Sequence, residues 1–189
     1  RERFKLAVQD LKNKLQLCKQ KISETKKIEI QILNIVAEIE KLSGIDFAVG
    51  VFTNLTRDHL DFFGNMDEYK KAKLKFFKEA NCKYVVTNTD DDFGEYIAES
   101  FKNTITYGVD NPADVFAIRI KERTNSTSFV LNLFDCIYNI NLPMVGIYNV
   151  SNALAAATAV SLIGVKTDDV CLGLGKLKGV SGRLECVYD

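Results

Sequence analysis

The amino-acid sequence predicts an α/β fold: a sheet with flanking helices and a β-hairpin portion, preceded by an N-terminal helical segment with heptad patterning. Three observations predict it. From Gly44 onward, short apolar runs alternate with amphipathic stretches, as strand–helix–strand units do. Further on, "VFAIRIKERTNSTSFVLNLFDCIYNINLPM" alternates apolar and polar residues around turn formers, as antiparallel hairpins do. Ahead of both, residues 1–43 space their apolar side chains by four and three, with no Gly or Pro before Gly44.

Phe4, Val8, Leu11, Leu15, Cys18 and Ile22 form one heptad stripe. Ile28, Ile32, Ile35, Ile39 and Leu42 form a second, out of phase with the first across Thr25. Residues 1–43 therefore read as a long helix, or as a hairpin turning near Ser23–Thr25. Such a stripe suits self-association through an arm or packing on the chain's own domain, and periodicity does not separate the two. Residues 44–189 form the main domain. "FAVGVFTNL" reads as a buried strand entering a loop. "MDEYKKAKLKFFKEA" places Met66, Tyr69, Ala72, Phe76 and Ala80 on one face of a helix. "KYVVTNT" and "TITYGV" read as strands, with "FGEYIAESFK" a helix between them. The hairpins turn at "TNSTS". "NVSNALAAATAVSLIGV" is a small-residue helix ended by Gly164, and "TDDVCLGLGKL" is another helix.

Lys+Arg and Asp+Glu both number 25, so net charge gives no reason to expect nucleic acid or an anionic membrane as partner. No apolar run approaches the roughly 18–20 residues of a membrane span, and no signal peptide is visible, so a cytoplasmic location is expected. The five cysteines form no CxxC pair, and one histidine argues against a Cys/His zinc site. They read as small buried hydrophobes of a reducing compartment. A start at Arg1 rather than Met reads as a fragment or a processed product.

His59, the single histidine, follows the first strand by a few residues. That is the C-terminal edge, where open α/β sheets gather ligands. An ordinary surface histidine would look the same. Lys70, Lys71, Lys75 and Lys78 fall on the polar side of the following helix; Lys73 lies near its apolar boundary, and periodicity does not single it out.

Four ordered motifs carry a resemblance. "TNLTRDHLDFFGNMDEYKKAKLKFF" is similar to the central-domain signature of the Mur ligase family, in its MurE type. "VVTNTDDDFG" resembles that family's strand-end "NADD" stretch, "GIYNVSNALAAATA" its "G-x-x-N-x-x-N-x-L-A-A" helix start, and "GVSGRLECV" its "G-x-x-G-R-x-E" exit. The resemblance covers Gly44 to Asp189. It implies an ATP-dependent ligase of peptidoglycan precursor synthesis, using ATP and magnesium (Mg2+). Such a ligase adds an amino acid to UDP-N-acetylmuramoyl-dipeptide through an acyl phosphate. His59 matches a magnesium ligand, and Lys73 the lysine that carbon dioxide carbamylates, which gives hard magnesium an oxygen donor. Asn152 and Arg183 match nucleotide contacts. Asp58 is implied to orient His59, and Asn149 to cap its helix.

The departures matter too. No "GTNGKT" phosphate-binding loop occurs, and "GLGKLKG" lacks Ser/Thr after its lysine and falls in a predicted helix and turn. The family's strand-end glutamate with adjacent serines does not precede Gly44, and the chain stops just after "GR" in "GVSGRLECV". The isolated chain is therefore expected to be inactive and to bind ATP weakly. The alternative reading is a non-catalytic Mur-ligase-derived binding or scaffold module.

Overall fold

A computed structural model of the chain describes residues 46–55, 66–79 and 81–177. The heptad-patterned segment 1–43 lies outside the described residues.

Six strands form one mixed sheet in chain order. β1 (Asp46–Val51), β2 (Asn81–Asn88), β3 (Thr104–Gly108) and β4 (Val115–Glu122) pair in parallel. β5 (Thr127–Leu133) and β6 (Cys136–Leu142) extend the sheet antiparallel, which is the expected hairpin portion. α1 (Met66–Glu79) joins β1 to β2, and α2 (Asp92–Ser100) joins β2 to β3. α3 (Ile147–Leu162) and α4 (Thr167–Gly175) follow β6. A parallel connection ordinarily needs about a dozen residues, yet residues 109–114 suffice between β3 and β4. The reason is that only Tyr107↔Val115 and Gly108↔Phe116 pair there, so β4 starts beside the end of β3 and runs on past it.

Consecutive strand residues face opposite ways, and Val85 and Val86 divide the core accordingly. Val86 faces the larger cluster, with Tyr107, Val115, Leu131 and Leu142 from the sheet and Val150, Leu154, Val170 and Leu174 from α3 and α4. The alanines of α3 let that helix lie close across β1 to β5. Val85 faces Phe52, Phe77, Phe93 and Ile97, the aromatic cluster under α1 and α2. α3 ends where Gly164 was expected to end it. Gly164 sits at φ 95°, its N–H bonds Ser161 O, and Val165 N–H bonds Val160 O, which is the paired Schellman arrangement.

Several expectations need correction. On α1 the fully buried residues are Tyr69 and Phe77, whereas Phe76 is half-buried. Tyr69 and Phe76 thus lie on the core side as expected, Phe76 packing on the aromatic cluster, Phe77 joins them, and the half-buried Lys73 stands four residues from both Tyr69 and Phe77. Lys71, Lys75 and Lys78 are exposed as expected, but Lys70 is half-buried with its Nζ 5.8 Å over the Phe93 ring. Among the cysteines, Cys82 and Cys171 are half-buried, with thiols raised by burial, while Cys136 is exposed at the start of β6. Among the described residues no helix is long and apolar enough to cross a membrane.

The turn between β5 and β6 is Phe134–Asp135, with φ 50° and 64°, and no Gly or Asn announces it. Two L-residues in the left-handed region carry a conformational penalty that Asn-Gly avoids. Phe134→Asn with Asp135→Gly should raise stability by about 1 kcal/mol, read as a higher urea midpoint. A lower midpoint would contradict the turn assignment.

Candidate functional site

The exits of β1, β2 and β3 converge at the C-terminal edge of the parallel strands, and the start of α3 meets them there. Tyr107, at the end of β3, is wholly buried. Its hydroxyl donates to Phe52 O at the β1 exit (3.3 Å) and is hydrogen-bonded to Ser151 of α3. Burial pushes this phenol far above its ordinary range. The Ser151 bond opposes that shift, and the charges of Asp90 and Asp91 add to it. Tyr107 therefore stays a neutral donor joining β1 to α3.

The turn Asn88–Asp91 ties the same exits together. Asn88 Nδ2 donates to Thr53 O (2.9 Å), while Asn88 Oδ1 accepts from Asp90 N (3.0 Å). Asp90 accepts three backbone N–H groups from the β3 exit: Val109 at 2.6 Å, and Asp110 and Asn111 at 2.9 Å each. Asp91 is the N-cap of α2. Its Oδ1 accepts from Phe93 N (2.9 Å) and Gly94 N (3.3 Å), and its Oδ2 accepts from Leu55 N (2.7 Å). The sequence reading recognised "VVTNTDDDFG" as a motif without these roles. An acid directly before an apolar helical run is a capping signal that could have found Asp91.

The residues singled out from the sequence fall into two groups. His59, Asp58 and Arg183 lie outside the described residues. Lys73, Asn149 and Asn152 lie within them. Lys73 is half-buried, with Nζ 5.4 Å over the Tyr69 ring. Asn149 holds the entry of α3: its Nδ2 donates to Val145 O (2.7 Å) and its backbone N to Gly146 O (3.0 Å). Asn152 is exposed on α3, four residues after Tyr148, which is itself 78% exposed. The expectation that Asn149 caps this helix is corrected: no side chain caps the start of α3, where Gly146 is the N-cap with φ 101°, and Asn149 instead donates back to Val145 O.

Among the described residues, no group of three or more His, Cys, Asp or Glu side chains is arranged to hold a metal. Asp90 and Asp91 already accept six backbone N–H bonds between them. A cation at this edge therefore needs a donor of another kind. A carbamylated lysine would be such a donor, since it offers oxygen to a hard cation. A hollow of about 440 Å³ between α1 and α2 is lined by Lys70, Lys71 and Phe93 among others, and by neither Lys73 nor Asn152.

A family model described as Mur ligase middle domain matches residues 10–160. The chain belongs to the Mur ligase family. It is 38% identical over 151 residues to a UDP-N-acetylmuramoyl-L-alanyl-D-glutamate–L-lysine ligase of Staphylococcus haemolyticus, covering 77% of this chain and 31% of that protein. It is 37% identical over 158 residues to the corresponding 2,6-diaminopimelate ligase of Bacillus cereus, covering 79% of this chain and 32% of that one. A solved structure of a UDP-N-acetylmuramoyl-L-alanyl-D-glutamate–2,6-diaminopimelate ligase superposes with a TM-score of 0.72 at 28% identity, over 81% of this chain and 33% of that one. The fold is thus that of the Mur ligase middle domain, and the chain spans about a third of the length of the curated relatives it matches.

Proposed function

We propose that this chain supplies part of the middle domain of a cytoplasmic, ATP-dependent ligase that joins an amino acid to UDP-N-acetylmuramoyl-dipeptide. In this reading Lys73 and His59 hold magnesium, Asn152 and Arg183 contact the nucleotide, Asp58 supports His59, and Asn149 fixes the turn into α3. The isolated chain is inactive, and residues 1–43 are a helical arm. The observation that supports the reading is the place of Lys73 on α1, half-buried four residues from each of the buried Tyr69 and Phe77, with Nζ 5.4 Å over the Tyr69 ring.

The chemistry follows from that placement. In its neutral form the Lys73 amine attacks carbon dioxide through its nitrogen. A nitrogen–carbon bond forms, one N–H proton leaves to water, and a cationic side chain becomes an anionic oxygen donor. Bound magnesium supplies positive charge to offset the phosphate oxygens. The chain's own residues do the positioning. Tyr107 and Ser151 hold α3, and so Asn152, against the strand exits, while Asn88 and Asp91 hold the exit of β1.

A chimera tests the reading. The matching segment of the Staphylococcus haemolyticus ligase is replaced by this chain's residues, and substrate-dependent phosphate release is measured. The chimera should ligate, and Lys73→Ala within it should lower turnover by at least about a hundredfold, since losing even an outer partner of a metal ligand costs about 10- to 100-fold. A folded chimera without ligation, or one indifferent to Lys73→Ala, would overturn the reading.

A further inference from the structure

We infer that Tyr107 is a positioning residue for the nucleotide contact at Asn152, setting where along the sheet α3 presents that side chain; this rests on the reading of Asn152 given above. α3 meets the sheet through a smooth face, on which Val150, Ala153, Leu154 and Ala157 are buried. Apolar burial is non-directional, so it holds the helix down without fixing its place along its own axis. A hydrogen bond is directional, and Ser151 makes one with the Tyr107 hydroxyl. That hydroxyl donates in turn to Phe52 O at 3.3 Å, across 55 residues of sequence. The first turn of α3 is thereby tied to the ends of both β3 and β1. The bonds of Asn149 stay inside the entry turn, to Val145 O and Gly146 O. Asn152 follows Ser151 directly and is exposed, as is Tyr148 four residues before it, so the face that this tie sets is open to a ligand.

Removing the hydroxyl separates positioning from packing. Tyr107→Phe keeps the buried ring and frees Ser151, which can turn to a carbonyl of its own helix. Ser151→Ala breaks the same tie from the other end. A Tyr107 that only stabilises the fold predicts no change in affinity, because a somewhat less stable domain is still almost wholly folded. Thr158→Val is the control. It deletes another buried hydroxyl of α3, one that bonds Leu154 O at 2.7 Å within the helix and touches no strand exit. Nitrogen-15 NMR of the whole chain, titrated with ATP, follows the side-chain amide of Asn152.

Tyr107→Phe and Ser151→Ala should each raise the half-saturating ATP concentration about tenfold, the order expected when a hydrogen bond is lost and its buried partner left unsatisfied. The double variant should be no worse than either single one, since both cut the same tie. Thr158→Val should leave the half-saturation point where it is in the wild type. An unchanged point in Tyr107→Phe overturns the inference, and so does additive loss in the double variant. An equal rise in Thr158→Val overturns it too, because loss of any buried hydroxyl would then suffice. Asn152 signals that ignore ATP in the wild-type chain overturn the reading of Asn152 itself, and the inference with it.

Discussion

Gly94→Ala should lower the stability of the domain by about 3 kcal/mol or more, because the new methyl group has nowhere to go. A Cβ built at Gly94 would lie 1.8 Å from the backbone O of Asn88 and 2.9 Å from its carbonyl carbon. Those atoms belong to the end of β2 and cannot swing aside as a flexible side chain would. Gly94 also gives its N–H to Asp91, and its carbonyl accepts from Thr87 Oγ1 at 2.9 Å. Relief of the clash therefore means lifting α2 from the sheet and exposing Phe93 and Ile97, both now buried. Urea unfolding measures the loss. Gly173→Ala is the control, since a Cβ at Gly173 meets nothing within 4 Å and α4 should gain up to about 1 kcal/mol of helix propensity. Equal midpoints for Gly94→Ala and the wild type would contradict the packing of α2 on β2.

The order of strands and helices was legible in the sequence because each apolar run is bounded by polar or turn-forming residues. Runs such as "KYVVTNT" and "TITYGV" are too short for helices, and "NALAAATAVSLIG" carries its own stop signal at Gly164. What escaped the sequence was whatever depends on contacts distant along the chain. The bond from Leu55 N to Asp91 spans 36 residues, and those from the β3 exit to Asp90 span 19 to 21. Nothing local to either aspartate announces its partners. The Phe134–Asp135 turn was hidden because its residues lack the Gly or Asn that marks a left-handed turn. The burial of Phe77 was missed for a different reason. Lys73, four residues before it, breaks the apolar count, so the pattern favoured Phe76, one residue earlier. The residue that spoiled the periodicity is the one the family resemblance singles out.

That coincidence makes Lys73→Arg the most informative substitution. Arginine keeps the charge and much of the length, so it can lie along the Tyr69–Phe77 row with its stem packed and its head outward. It cannot be deprotonated, so it cannot take up carbon dioxide. Lys70→Arg and Lys71→Arg make the same exchange on the same helix outside the Tyr69–Phe77 row. The measurement is carbon-13 NMR of the chain in labelled bicarbonate with magnesium. A carbamate from the α-amine would persist in every variant and serves as an internal reference. The account predicts one further carbamate signal in the wild type, in Lys70→Arg and in Lys71→Arg, and its complete loss in Lys73→Arg with the fold intact. A wild-type spectrum without that signal, or a signal that survives Lys73→Arg, would contradict the assignment of Lys73 to a magnesium site.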